Sequence, residues 1–285
     1  MEPVLKWAGG KRQLLSKLLN YITPELLKGH RFYEPFIGGG SVSFTLEHPA
    51  TTINDFNEEL INTYNVIKDD PQGLIALLIE HQNNHSKEYY YKIRALDRDE
   101  SYAGLPSKEK AARFIYLNKT CFNGLYRVNS SNQYNVPLGR LTTTGIVQAD
   151  RIEELSKFLN QPEVHICQGD FTECLKDAKK GDVIYFDPPY DYEGSGFNQY
   201  VINSFNRDDL KRLHDECIRL ISIGCTVIVS NNDTAFVREL FKEPVFDIGS
   251  VEAKRFINCQ ANNRSGIKEV IIYGKKQRRR ISTSR

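Results

Sequence analysis

Strand-like and helix-like segments alternate at both ends of the chain, and this alternation limits the folds that the chain can adopt. Apolar strand patterns are separated by helical periodicity, and the first strand pattern runs into a glycine turn. Such alternation is typical of an α/β fold with a mostly parallel, doubly wound sheet. The predicted strands cover residues 31–36, 51–55, 164–167, 183–186, 226–230, 245–248 and 269–273.

The middle of the chain has a different pattern. Residues 57–119 are helical in periodicity and contain no convincing strand, with breaks near Pro71 and 104–106. Residues 120–144 are rich in Asn, Ser, Gly and Thr, which is typical of loops and hairpins. We therefore predict that a second domain is inserted into the α/β domain. The predicted parts are a discontinuous domain of residues 1–57 and 150–274, an inserted domain of residues 58–149, and a basic tail of residues 275–285.

Charge is unevenly distributed along the sequence. The chain has 38 Lys and Arg against 36 Asp and Glu, but six of the basic residues lie in the last eleven positions. This distribution excludes a generally polybasic protein that binds nucleic acid with its whole surface. Residues 110–149, however, contain no Asp or Glu, so we predict a local basic face there. Its basic residues are Lys110, Arg113, Lys119, Arg127 and Arg140.

Membrane and metal signals are weak in this sequence. No apolar stretch approaches the roughly 20 residues that span a bilayer, and the N-terminus has no apolar signal core. We therefore expect a cytoplasmic protein without a membrane partner. His81 and His85 are four residues apart on a predicted helix, but no HExxH pattern or nearby third ligand accompanies them. We interpret them as part of a solvated face and predict no metal site.

The sequence Asp187-Pro188-Pro189-Tyr190 directly follows the apolar strand pattern at 183–186. Open α/β sheets bind ligands at the carboxyl ends of their strands, where this segment would lie. Neither proline has an N–H, so the local backbone offers carbonyl acceptors, to which Asp187 adds a carboxylate and Tyr190 a flat ring. Acceptors beside a stacking ring suit a planar molecule with an exocyclic amino group. The alternative is a proline turn with an exposed Asp.

A glycine turn follows the first strand pattern in the segment EPFIGGGS at 34–41. Glycines there let the backbone approach a ligand closely at a helix N-terminus. Asp55 ends the next strand pattern, where its carboxylate can bind ribose hydroxyls. The alternative is a helix N-cap or a solvated carboxylate at the end of a strand. The segment KWAGGK at 6–11 holds the only Trp, either near a nucleotide-like ligand or in an anchored turn. The turn is not GxGxxG, which argues against a nicotinamide or flavin dinucleotide.

Taken together, these segments resemble the Dam-type (D12 class) family of DNA adenine methyltransferases, which use S-adenosylmethionine. The similarity covers nearly the whole chain and is close to GATC-specific modification methylases of the DpnII type. It implies a Rossmann-like S-adenosylmethionine-dependent methyltransferase sheet with an inserted, mostly helical DNA-recognition domain that carries a hairpin. The segments are KWAGGK at 6–11, EPFIGGGS at 34–41, NDFN at 54–57, NGLYRVN at 123–129, YNVPLGR at 134–140, DPPY at 187–190 and SNNDT at 230–234.

The resemblance also implies roles for individual residues. The catalytic residues would be Asp187, Pro188, Pro189 and Tyr190. Those that bind S-adenosylmethionine would be Trp7, Ala8, Gly9, Lys11, Glu34, Pro35, Phe36, Gly38, Gly40, Asp55, Asp170, Phe171 and Asp187. Contacts to double-stranded DNA would come from Asn123, Arg127, Asn129, Asn132 and Arg140. Family members often carry a basic residue where Ser130 and Ser131 stand here, so we select Arg127 as the guanine reader, because Arg is the commonest partner of guanine.

The resulting hypothesis is methyl transfer to the 6-amino group of an adenine that is flipped out of the duplex. The alternatives are a methyltransferase of RNA adenine or protein glutamine, a non-catalytic DNA-binding protein, and, least favoured, a Rossmann oxidoreductase. The resemblance further implies a monomer in a restriction–modification system, with an endonuclease that acts on the same site without a stable complex. Residues 193–200 form either a lid over the base or a plain surface loop.

Overall fold

The computed structural model describes residues 1–7, 12–141, 145–192, 205–252 and 268–276. The predicted site residues Ala8, Gly9 and Lys11 and the predicted lid at 193–200 lie outside these ranges. The α-helices in the described residues are α1 (Arg12–Leu18), α2 (Pro24–Leu27), α3 (Ser43–Leu46), α4 (Glu58–Asp69), α5 (Pro71–Asn83), α6 (Lys87–Ala95), α7 (Ser107–Thr120), α8 (Ala149–Leu159), α9 (Arg207–Ile223) and α10 (Ala235–Leu240). The strands are β1 (Phe32–Glu34), β2 (Thr51–Asp55), β3 (His165–Gln168), β4 (Val183–Phe186), β5 (Thr226–Asn232), β6 (Phe246–Glu252) and β7 (Lys268–Lys275).

The strands form a mixed sheet in the order β3-β2-β1-β4-β5-β7-β6. Strand β2 is parallel to β3, and β4 is parallel to both β1 and β5. Strand β7 runs antiparallel to β5 and β6, between which it lies. The predicted α/β sheet is therefore confirmed, and each predicted strand is present within a few residues of its expected bounds.

The chain forms two compact units. Among the described residues, unit 1 consists of 1–7, 12, 36–141 and 145–174, and unit 2 consists of 13–35, 175–192, 205–252 and 268–276. Unit 1 thus contains β2, β3 and the helices from α3 to α8, whereas unit 2 contains β1, β4 to β7, α9 and α10. The functional boundaries at residues 58 and 149 remain a prediction.

Local sequence signals determine where the helices of the middle region begin. The Asp70 carboxylate accepts a hydrogen bond from the Gly73 N–H at 2.9 Å, and Pro71 occupies the first turn of α5. Helix α7 begins directly after Pro106, at the second predicted break. Helices α4, α5, α7 and α8 contribute buried apolar side chains to one core of unit 1. None of the helices among the described residues is long and apolar enough to cross a membrane.

His81 and His85 do not lie on a solvated face, so our interpretation of this pair was wrong. The His81 ring stacks on Tyr116 with a centroid distance of 4.9 Å, and its Nδ1 lies 2.8 Å from the Tyr89 hydroxyl. The Nδ1 atom of His85 lies 2.8 Å from the Tyr116 hydroxyl. Tyrosines of α6 and α7 therefore cover His81 on α5 and His85 just beyond its end, which the spacing of the two histidines alone could not indicate. Among the described residues, no cluster of three or more potential ligands could hold a metal ion.

The buried His81 leads to a prediction about acid stability. Burial lowers the pKa of His81 from its ordinary value of 6.5 to about 4. Between these values the unfolded chain binds a proton that the folded chain does not, so the free energy of unfolding falls as the pH drops through this window. We expect His81→Gln to make that pH dependence shallower in urea denaturation. An identical slope would contradict this account, and His165→Gln, which removes an exposed imidazole, is the control.

Candidate active site and DNA-binding region

The glycine turn of unit 1 is fixed to the end of β2 and to α4. Gly38 and Gly40 have φ angles of 47° and 73°, in the left-handed region that favours glycine. The Gly38 N–H donates to Asp55 Oδ2 at 3.0 Å, and the Tyr64 hydroxyl donates to the Gly38 carbonyl at 2.6 Å. The turn is therefore held through both polar groups of Gly38, which leaves it little freedom to move.

Asp55 is a partly buried acceptor and does not cap α4, which was one of its alternative roles. Its Oδ1 accepts from the Asn57 N–H at 3.0 Å, and the Asn57 side chain caps α4 by accepting from the Leu60 N–H. Burial raises the pKa of Asp55, although the N–H groups of Asn57 and Gly38 oppose the shift. A carboxylate in such surroundings is able to accept further hydrogen bonds from a polar ligand.

Trp7 packs against the glycine turn and is anchored on its other side. Its ring stacks on Tyr126 at 5.7 Å and on Phe114 at 6.3 Å. The backbone of the preceding Lys6 is held by Asn118, which accepts from the Lys6 N–H at 2.9 Å and donates to the Lys6 carbonyl at 2.7 Å. The N-terminal segment is thus anchored, and the anchor places the indole beside Gly38. A Cβ at Gly38 would lie 2.7 Å from Trp7 Cδ1.

Three aromatic rings and two carboxylates lie around the ends of β2 and β3. Phe36 stacks on the buried Phe171 with a centroid distance of 5.4 Å. Asp170 Oδ1 accepts from the Thr172 N–H at 3.1 Å and from its hydroxyl at 2.6 Å. Phe56, directly after Asp55, is 64% exposed, which is unusual for an aromatic side chain. We did not predict a role for Phe56, although the aromatic position in NDFN was a signal for one.

The DPPY segment lies in unit 2, directly after the fully buried strand β4. Pro188 is buried and Pro189 exposed, while Tyr190 is half-buried and donates its hydroxyl to Glu269 Oε2 at 3.3 Å. This hydrogen bond fixes the far end of the Tyr190 ring. Glu269 is itself buried and was not predicted as a site residue.

Three carboxylates surround Tyr185, which is buried within β4. Burial raises the pKa of Tyr185 well above its ordinary value, the charge of Asp187 raises it further, and Glu34 and Glu269 contribute less. Glu34 is the last residue of β1 and is buried, as is the neighbouring Pro35. Asp187, Glu34 and Glu269 therefore lie close enough to Tyr185 to act on its pKa electrostatically.

Residues 121–140 form the predicted loop and hairpin of the recognition region. Bridges pair Cys121 with Leu138 and Val128 with Tyr134. Asn129 Oδ1 accepts from the N–H groups of Ser131 and Gln133, and Asn129 Nδ2 donates to Gln133 Oε1 at 3.1 Å. The carbonyl and amino groups of the Asn129 amide are thus both used to close the turn of the hairpin.

The other predicted DNA contacts are exposed. Asn123 and Asn132 both have left-handed backbone, with φ angles of 55° and 57°. Arg127 Nε donates to Asn135 Oδ1 at 2.6 Å, and its Nη2 donates to the Asn135 carbonyl at 3.3 Å. Arg127 is therefore oriented by its neighbour on the hairpin, and Arg140 is exposed at the far end of the same region.

The acid-free window at 110–149 is not a uniform basic face, which corrects our prediction. Arg113 is 2% exposed and pairs with Asp97 at 2.8 Å. Lys119 donates to Gln148 at 2.7 Å, and burial lowers its pKa to about 8. Counting acidic residues within 110–149 could not reveal this pair, because Asp97 lies outside that window. Arg127 and Arg140 are the exposed arginines that remain in the window.

The contact between Gly38 and Trp7 leads to a prediction. Gly38→Ala would place a methyl group against the indole on a backbone that L-residues rarely adopt, so we expect a loss of about 1–3 kcal/mol in the free energy of unfolding. Because Trp7 is the only Trp, its emission maximum should shift as well. Gly104→Ala is the matched control, since a Cβ there meets no atom within 4 Å. Unchanged emission and stability in Gly38→Ala would contradict the packing.

Comparison with known proteins gives a consistent family. The family model of the D12 class N6 adenine-specific DNA methyltransferases matches residues 7–257. The chain is 44% identical to the Type II methyltransferase M1.LlaDCHI of Lactococcus lactis subsp. cremoris, with 95% of each chain covered. It is 37% identical to the Type II methyltransferase M.MjaIII of Methanocaldococcus jannaschii, over 95% of this chain and 98% of that one. It is 33% identical to the retron Ec67 DNA adenine methylase of Escherichia coli, over 95% and 90%. The chain therefore belongs to the D12 class of N6 adenine-specific DNA methyltransferases, as its motifs predicted.

Proposed function

We propose that this adenine-specific DNA methyltransferase methylates the 6-amino group of adenine in GATC, after flipping the base out of double-stranded DNA. The proposal that the enzyme methylates an amino group rests mainly on the DPPY segment of unit 2. There Asp187 follows a buried strand, and the Tyr190 ring is fixed through its hydroxyl. Acceptors next to an oriented ring suit a planar base with an exocyclic amine.

The described residues fit S-adenosylmethionine as the methyl donor, which supplies an electrophilic methyl group on a positively charged sulfur. In unit 1, a Cβ at Gly38 or Gly40 would collide with Trp7 or Phe44, so close packing requires glycine at both positions of the turn. Asp55 offers a partly buried carboxylate for hydroxyl groups. In unit 2, Glu34 and Asp187 lie at the carboxyl ends of β1 and β4, where open α/β sheets bind their ligands. We propose that these residues bind the donor, together with Trp7, Pro35, Phe36, Asp170 and Phe171.

Asp187 and Pro188 would activate the adenine amine by hydrogen bonding. The lone pair of the amine is delocalised into the purine ring, which makes the nitrogen a poor nucleophile. If the Asp187 carboxylate and the Pro188 carbonyl accept its two hydrogens, the nitrogen becomes more tetrahedral and its lone pair points toward the methyl group. Tyr190 would stack on the flipped base and offset part of the few kcal/mol that extrusion costs. Positioning and electrostatics would provide most of the acceleration.

For sequence recognition we propose the exposed part of the hairpin region. Arg127 would read guanine with the guanidinium that now bonds to Asn135, and Asn123, Asn132 and Arg140 would contact the DNA nearby. The internal bonds of Asn129 favour a role in shaping the turn, with its DNA contact made by the remaining N–H of its amide. The family is specific for adenine in DNA, so it does not support RNA, protein glutamine, a non-catalytic protein or an oxidoreductase as alternatives.

The biological setting is also a proposal. Two relatives are named Type II methyltransferases. We propose that this cytoplasmic enzyme acts as a monomer and as the modification component of a restriction–modification system. Its cognate endonuclease would act on the same site without forming a stable complex.

Mapping of methylated adenine tests the proposed function. We expect that expression in a host without adenine methylation will place N6-methyladenine in GATC across the genome, as read by sequencing that detects the modified base. Asp187→Ala should abolish the mark while the protein remains folded. A mark in another sequence context would contradict GATC specificity, and the absence of any mark would contradict the activity.

Variants of Tyr190 test the stacking role. Base–aromatic stacking contributes about 1–3 kcal/mol per base, so Tyr190→Ala should lower kcat/KM for duplex DNA by about 5- to 150-fold. Tyr190→Phe keeps the ring and loses only the bond to Glu269, so we expect a change within about three-fold. Transfer of a labelled methyl group measures both. Equal losses of kcat/KM in Tyr190→Ala and Tyr190→Phe would show that stacking by the ring does not contribute to the reaction.

A further inference from the structure

Asp191, the residue directly after Tyr190, lies at the centre of a hydrogen-bond network in unit 2. The residue is 9% exposed. Its carboxylate accepts from Arg207 through two parallel bonds, from Nε to Oδ1 at 2.8 Å and from Nη2 to Oδ2 at 3.1 Å. The Thr234 hydroxyl donates to Oδ2 at 2.7 Å. A bidentate pair with Arg gives a defined geometry as well as binding energy, so the carboxylate has one preferred orientation.

The backbone of Asp191 is held by the end of β5. Its N–H donates to Asn231 Oδ1 at 2.9 Å, and its carbonyl accepts from Asn232 Nδ2 at 2.6 Å. Both asparagines are buried and belong to the SNNDT segment, for which the sequence suggested no role. The polar groups of the Asp191 backbone and carboxylate are therefore all bonded to the surrounding structure.

The partners of Asp191 belong to rigid elements that are distant from it in sequence. Arg207 is the first residue of α9, and its guanidinium lies 4.5 Å from the Phe236 ring centroid. Thr234 caps α10 by accepting from the Val237 N–H at 3.2 Å. Asp191 thus connects the end of β4 with the end of β5 and with the first turns of two helices.

This network restrains the catalytic segment from its C-terminal side. The peptide that joins Tyr190 to Asp191 is planar, so fixing residue 191 also fixes the backbone direction at Tyr190. The Tyr190 hydroxyl is held separately by Glu269. The aromatic ring is therefore restrained through its backbone and through its hydroxyl.

Stability alone is a poor reason for this arrangement. Removing a carboxylate from water costs free energy, and an ion pair in which the Arg207 side chain is half exposed adds little stability in water. What the charged network provides instead is a single geometry for the segment next to it. Catalytic groups need such geometry, because a displacement of about 1 Å can cost about 100-fold in rate.

We propose that Asp191 is a positioning residue for methyl transfer, which acts through Arg207 and Thr234 to hold Asp187 and Tyr190 in the orientation that the flipped adenine requires. The proposal rests on the proposed function of the DPPY segment. Asp191 does not itself contact the base or the methyl donor in this account.

Asp191→Asn tests the proposal, because it keeps the size of the side chain but replaces one acceptor oxygen with a donor. In single-turnover assays we expect the rate of methyl transfer to fall by about 10- to 100-fold. The dissociation constants for S-adenosylmethionine and duplex DNA should stay within about two-fold. Thr234→Ser keeps the donor hydroxyl and should retain a rate near that of the unaltered protein. The duplex carries the context that the unaltered protein marks in the genome, so the test does not depend on GATC.

Asp208→Asn is the matched control, because this carboxylate is 85% exposed and forms an i,i+3 pair with Lys211 in the first turn of α9. It should leave the rate unchanged. An unchanged rate in Asp191→Asn would overturn the proposal while leaving the proposed function intact. Absence of methyl transfer in the unaltered protein would instead contradict the proposed function.

Arg207→Gln separates positioning from folding, since the Arg207 side chain is 52% exposed and its removal should leave the protein folded. We expect this variant to lose rate as Asp191→Asn does, and the double variant to lose less than the two losses combined. If Asp191→Asn fails to fold, the rate of methyl transfer in Arg207→Gln tests the proposal on its own. Equal losses of rate, DNA affinity and thermal stability in Arg207→Gln would show a merely structural role and overturn the proposal.

Discussion

Burial of β4 between β1 and β5 is the constraint on which the catalytic part of unit 2 depends. Every side chain of β4 is buried, so the strand offers no side chain to a ligand before its carboxyl end. The two prolines that follow have no N–H and do not extend the ladder of the sheet. Asp187 and Tyr190 therefore lie just beyond the carboxyl end of β4, which is held in place by β1 and β5. Strand β4 thus serves the proposed chemistry only by positioning the residues that follow it.

A second constraint acts in unit 1, where buried charges support the hairpin of the recognition region. Arg113 pairs with Asp97, and Asp97 Oδ2 accepts from the Tyr134 N–H at 2.7 Å. Arg98 donates to the Tyr134 carbonyl at 2.9 Å. The backbone of the hairpin is thus bonded to side chains of the helical region beneath it. Basic residues near this hairpin divide into those that support it and those, such as Arg127, that are exposed on it.

Much of this structure could be predicted from the sequence because its signals are local. Strand β4, the turn at Asp187 and the start of α5 at Pro71 each follow from a few neighbouring residues. What could not be predicted depends on pairs that are distant in sequence. Arg113 is buried because Asp97 is available to it, and His81 and His85 are covered by tyrosines of α6 and α7. Asp191 finds its partners on β5, on α9 and at the cap of α10. The spacing of residue types along one sequence does not show which distant residues will become such partners.

A crystal structure of the enzyme with a duplex containing its target site and S-adenosylhomocysteine would test the central claim most directly. The account predicts that the target adenine lies outside the helix with its ring against Tyr190. The 6-amino group should lie within hydrogen-bonding distance of the Asp187 carboxylate and the Pro188 carbonyl. An adenine that remains stacked in the duplex, or a flipped adenine whose amino group contacts other residues, would contradict the account.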